Sequence, residues 1–146
     1  MEWDVEVKRM LRDYKYKQHS IGNLPKEIAS LEDDLQSIRS ATSDATPVKG
    51  GGNAREDRML NNIVKREELK RNLKSVTGEV ERIDSAMQTL SEQDQELLER
   101  CYISPTKGHI ERLQDELRFK DESSVHRRKR EALRRFTIAY YGVEKS

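Results

Sequence analysis

Seven apolar residues, Leu69, Leu73, Val76, Val80, Ile83, Met87 and Leu90, recur at spacings of 4, 3, 4, 3, 4 and 3. That alternation keeps their side chains on one narrow stripe of an α-helix, the geometry of knobs-into-holes packing. The stripe needs cover, because most helices in water are held by burying an apolar face rather than by propensity. Leu24, Ile28, Leu31, Leu35 and Ile38 form a second stripe at spacings of 4, 3, 4 and 3. The longer helix, expected from about residue 55 to 90 and roughly 50 Å in length, therefore pairs with the 24–40 segment, with a second copy of the chain, or with both.

Composition agrees with helices throughout. Charged residues are 38% of the 146 and hydrophobic ones 34%, too few to wrap the whole chain around one globular core. Proline is confined to positions 25, 47 and 105, and Glu, Lys, Arg and Leu abound. The single cysteine, Cys101, excludes an internal disulfide, and the first ten residues hold no apolar leader core, which together suggest a reducing cytoplasm. No run approaches the roughly 18 apolar residues of a membrane span.

Punctuation along the chain divides it further. Trp3, Val7, Met10, Leu11 and Tyr14 mark an amphipathic helix over residues 3–19. The "SIGN" stretch at residues 20–23 is expected to break it, with Asn23 capping the next helix and Pro25 in its first turn. Residues 42–54, with Pro47 and three consecutive glycines, read as a flexible linker. "KGGGNA" is not a phosphate loop, since it lacks the Gly-Lys-Ser/Thr ending and a preceding strand.

After Leu90 the pattern changes. Ser91 opens a helix with Asp94 three positions on, an imperfect capping box, and Leu97, Leu98, Cys101 and Tyr102 on its inner side. "SPTKG" turns the chain, Ile110, Leu113 and Leu117 line a short second helix, and Asp121 is placed to cap a third over residues 122–141. The expected architecture is all-α: a helical hairpin or coiled-coil region over residues 1–90, then a three-helix helix-turn-helix domain over 91–146.

Charge is segregated within that second part. Residues 91–122 hold five basic and nine acidic side chains, whereas residues 123–141 hold six basic ones and one acid, Glu131. If Val125, Ala132, Leu133, Phe136 and Tyr140 face inward, the helical turn of 100° per residue sends Ser123, Arg127, Arg130 and Arg134 outward. Glu122, Ser123, Ser124, His126 and Arg127 would then meet base edges in a groove, and Arg128, Arg130, Arg134 and Arg135 would meet phosphates. A solvated basic face is the bland alternative; the helix order and the charge segregation favour DNA.

Catalytic chemistry is not suggested, and the chain is read as a non-enzyme. His19, His109 and His126 are scattered, so no metal-ligand spacing or cofactor motif appears. Ser123 and Ser124 lack a nucleophile elbow. Carboxylate pairs such as Asp33/Asp34 and Glu67/Glu68 lie among helical charges, where ion pairing or solvation explains them.

The segments "LSEQDQELLERCYI" and "HIERLQDELRFKDESSVHRRKREALRRFTIAYYG" resemble region 4 of sigma-70-type factors. With "WDVEVKRMLRDYKYK", "PVKGGG" and "REDRMLNNIVKREELK", nearly the whole chain resembles the ArpU/RinA-type regulators of phages and prophages in Gram-positive bacteria. The resemblance implies a sequence-specific DNA-binding regulator of late packaging and lysis genes, acting in the cytoplasm of a bacterial host. It also implies double-stranded DNA and host RNA polymerase as partners, with a homodimer through the apolar seam as a further option. The family's base-reading turn falls on Glu122, Ser123, Ser124, His126 and Arg127. Three positions depart from its pattern: Arg118 stands where a small residue is usual, Lys120 is an insertion, and Arg128 replaces a residue often apolar. Two other readings stay open, a small terminase subunit that recognises phage DNA and a coiled-coil adaptor whose basic helix meets an acidic protein.

Overall fold

The computed structural model describes residues 2–41 and 51–143, and every regular element in them is helical, as expected. Two long helices come first, α1 (Glu2–Ser40) and α2 (Gly51–Gln88). Three short ones follow: α3 (Glu92–Leu98), which runs straight into a π-helical turn (Glu99–Ile103), α4 (His109–Glu116) and α5 (Glu122–Tyr141).

These elements form two compact units whose division does not coincide with residue 90. One unit joins Met1–Lys17 to Glu79–Ser146, and the other is Gln18–Gly78. The physical reason lies in the first unit's core. Leu97, Leu98, Leu113, Val125, Leu133 and Phe136 of the last three helices share it with Val7, Met10 and Leu11 of α1 and with Ile83 and Ala86 of α2. Each fully buried Leu, Val or Phe contributes about 1.5 to 3 kcal/mol. The short helices therefore depend on the long ones for much of their burial.

Polar contacts fix how the long helices meet within this unit. Tyr14 donates to Asp84, and Lys17 pairs with Glu79 at 2.7 Å, so the two helices run in opposite senses here. Burial, reinforced by the hydrogen bond to Asp84, pushes the Tyr14 hydroxyl up to about 12. At the far end of α5 the Arg82 guanidinium stacks 4.3 Å from the Tyr140 ring centroid, and the Tyr141 hydroxyl donates to Glu6 at 3.4 Å.

Caps follow the local sequence closely. The Ser91 hydroxyl accepts from the Asp94 amide at 3.2 Å, and Asp121 accepts from both the amide and the hydroxyl of Ser124 at 2.8 Å. Those two bonds hold the Asp121 carboxyl below its usual range. Gly142 ends α5 at φ 81°, a left-handed conformation that glycine adopts without steric cost. Arg118, between α4 and α5, takes φ 58° without that freedom.

The π-helical turn was not foreseen. Ser104 donates its amide to the Glu99 carbonyl at 2.8 Å, five residues back, and the widened turn lets Cys101, Tyr102 and Ile103 all face inward. Cys101 is a free, buried thiol whose pKa is raised, chiefly by burial.

In the second unit Ile28 and Leu35 of α1 are buried together with Asn62 of α2. Asn62 donates to the Leu31 carbonyl at 2.8 Å, while its own carbonyl oxygen has no partner. It stands seven residues before Leu69, on the apolar stripe itself. A polar residue at such a place favours one register at a cost in stability.

One sequence expectation fails here. The 20–23 stretch does not break the chain: α1 is continuous, with Asn23 exposed inside it and Pro25 in its interior rather than at its start. Local signals favoured a break, but Val7 and Leu11 on one side and Ile28 and Leu35 on the other are each buried by α1 being helical. Of the expected linker, residues 42–50 lie outside the described ones and residues 51–54 belong to α2.

Pro25 leaves the Ile21 carbonyl without its helical donor and crowds it. Pro25→Ala restores that bond on an exposed face, and stability should rise by about 1 to 3 kcal/mol. Urea unfolding followed by circular dichroism measures this; an unmoved midpoint would mean that the ring costs the helix nothing.

Candidate nucleic-acid interface

The orientation of α5 is set by its own apolar spacing. Val125, Ala132 and Phe136 are fully buried and Leu133 is 1% exposed, which turns the opposite side of the helix to solvent. Along that side Ser123, Arg127, Arg130 and Arg134 form an exposed ridge at helical spacing. Glu122 and His126 are exposed at the start of the helix, beside Ser123 and Arg127. Ser124 is half-buried, its hydroxyl given to the Asp121 cap. Arg127 lies close enough to Asp121 for its charge to help keep that carboxyl ionised.

Arg128 and Arg135 lie on the flank of α5 that faces α3. Both turn toward Asp94 on α3, a carboxylate only 3% exposed. Arg135 donates to Asp94 Oδ2 at 2.9 Å, and Arg128 Nε lies 3.6 Å from Oδ1. Glu131 closes the cluster, 3.4 Å from Arg128 and 3.7 Å from Arg135. Two cations and two anions thus neutralise one flank of α5. An open groove of about 620 Å³ borders the cluster, with Leu90, Ile138 and Ala139 on its apolar side.

Of the nine residues expected at the interface, the structure brings Ser123, Arg127, Arg130 and Arg134 onto one ridge, with Glu122 and His126 at its start. Ser124 serves the cap, and Arg128 and Arg135 are engaged within the chain. Sequence reasoning saw Asp94 only as a weak capping residue. A stronger signal was present: Asp94, Leu97, Leu98 and Cys101 share one helical stripe, so an acid sits where core residues belong, and a buried carboxylate requires a cation. Among the described residues no group of His, Cys, Asp and Glu is arranged to hold a metal ion, and no helix is long and apolar enough to cross a membrane.

Comparison of the chain with models of protein families, with curated proteins and with solved structures gives no match.

The Asp94 cluster makes a prediction about stability. Asp94→Asn removes the charge but leaves the arginines, which are 34% and 47% exposed and can turn to water; the cost should be about 1 to 2 kcal/mol. Arg135→Met leaves the buried carboxylate with only the longer Arg128 contact at 3.6 Å and should cost more, about 2 to 4 kcal/mol. Urea midpoints in that order support the account, and equal midpoints would contradict it.

Proposed function

We propose that the chain is a sequence-specific DNA-binding transcription regulator that inserts α5 into the major groove. The observation that carries this reading is the exposed ridge of Ser123, Arg127, Arg130 and Arg134 on a helix whose other side is locked into a core. In this reading α3, α4 and α5 act as a three-helix helix-turn-helix domain, with α5 as the recognition helix.

Roles divide by position. Arg127, with Ser123 and His126 beside it in the first turns, reads base edges, where a guanidinium can hold guanine O6 and N7 together. Arg130 and Arg134, further along, meet phosphates, which fix register without reading sequence. Glu122 limits the base choice by accepting from a cytosine amino group. Ser124 contributes through the cap, and Arg128 and Arg135 hold the helix on α3 through Asp94.

The sequence likeness to ArpU/RinA-type regulators extends the proposal to the control of phage or prophage late genes in a bacterial host, with RNA polymerase as partner. The long helices, paired as a helical hairpin or as the seam of a homodimer, would then set half-site spacing or dock on the polymerase.

Selection from a randomised duplex library tests this directly. The wild-type chain should enrich one sequence, and Arg127→Ala should lose preference at a single base pair, at a cost of about 1 to 3 kcal/mol. Arg134→Ala should weaken every sequence alike and reduce the salt slope by about one. No retardation of any duplex at low salt would end the DNA reading and favour an adaptor whose basic helix meets an acidic protein.

A further inference from the structure

Among the described residues three hold a left-handed backbone. Two are Gly108 and Gly142, at φ 75° and 81°, and the third is Arg118, at φ 58°. The local fold explains the conformation at all three. Phe119 donates its amide to the Gln114 carbonyl at 3.0 Å, five residues back, the bond of a Schellman ending on α4 in which residue 118 takes the left-handed place. Leu117 and Phe119 both pack on the core, so the turn is anchored on either side of Arg118.

What the fold does not explain is the arginine. A left-handed residue that carries a Cβ is strained, and glycine is the usual occupant of this place in a helix ending. The chain supplies glycine at the other two positions and an exposed, charged side chain at this one. Nothing within the protein uses that side chain: among the described residues its guanidinium has neither a hydrogen bond nor an ion pair. Glu116, two residues before it, is taken by Arg100, and Asp121, three after it, by the amide and hydroxyl of Ser124. Strain kept for a solvent-facing cation points to a partner outside the chain.

Position narrows the choice of partner. Arg118 precedes Glu122, the first residue of α5, by four residues, so its Cα lies within about 14 Å of the start of that helix. The major groove is about 8.5 Å deep. With the first turn of α5 at the base edges, the chain leading into it has to pass the phosphates that rim the groove. We propose that Arg118 contacts a backbone phosphate at that rim and so clamps the turn between α4 and α5 to the duplex. This rests on the DNA reading of α5 and adds to it a residue outside that helix. Asp115, Asp121 and Glu122 outnumber Arg118 and Lys120 in this stretch, so the contact is one directed ion pair and not attraction by a basic patch. Its role is to fix how deeply α5 enters, since phosphate contacts set orientation without reading sequence.

Two measurements on the full chain test the proposal together. In fluorescence anisotropy with a mixed-sequence duplex across a range of potassium chloride concentrations, Arg118→Gly and Arg118→Ala should each reduce the magnitude of the salt slope by about 0.9 and weaken binding about 8-fold near 0.1 M salt. Arg118→Lys should keep the wild-type slope. In urea unfolding, Arg118→Gly should have its midpoint about 0.3 M above that of Arg118→Ala, because only glycine relieves the backbone. Weaker binding by the more stable variant separates loss of a contact from loss of structure. A wild-type slope in both neutral variants overturns the proposal while leaving α5 as the reader, and equal midpoints overturn its premise that the arginine burdens the turn. Absence of binding by the wild-type chain at low salt overturns the DNA reading and this contact with it.

Discussion

The three short helices cannot close a core by themselves. Leu97, Leu113, Val125, Leu133 and Phe136 supply one part of it, and Val7, Met10 and Leu11 of α1 with Ile83 and Ala86 of α2 supply the rest. Everything about the candidate interface follows from that shared burial. It fixes the rotation of α5, and so decides which arginines leave the surface and which turn inward. It also brings α1, the segment most distant in sequence, beside the basic helix.

Within that frame electrostatics sorts the arginines. Six basic residues crowd residues 123–141, yet they do not act as one block of charge. Asp94 is buried on the apolar stripe of α3, and a carboxylate in such a place is tolerable only when paired. Arg135 and Arg128 meet that need and are committed to holding two helices together. Arg127, Arg130 and Arg134 remain on the exposed ridge. The composition of the run suggested a single basic face, whereas the geometry divides it between an ion-paired flank and an exposed ridge.

Much of this was legible in the amino-acid sequence where the signal was local. Asp121 before a periodic apolar run marked the start of α5, Ser91 marked that of α3, and the spacing of Val125, Leu133 and Phe136 gave the buried face. What could not be read was decided between distant segments. Gly22, Asn23 and Pro25 carry every local sign of a break, yet burial on both sides keeps α1 whole. The π-helical turn has no residue signature, since it arises from fitting Cys101, Tyr102 and Ile103 into one core. The end of the apolar seam suggests a boundary at residue 90, although packing puts the last turns of α2, from Glu79 on, in the unit that holds α3 to α5.

The discontinuous build of the first unit has a consequence for biosynthesis. Leu11 leaves the ribosome long before Phe136, and at ordinary translation rates the interval is on the order of ten seconds. Through that time the apolar stripe at the start of α1 has no permanent cover. The unit's core therefore closes only once α5 has emerged, so the first segment of the unit to be made waits for the last.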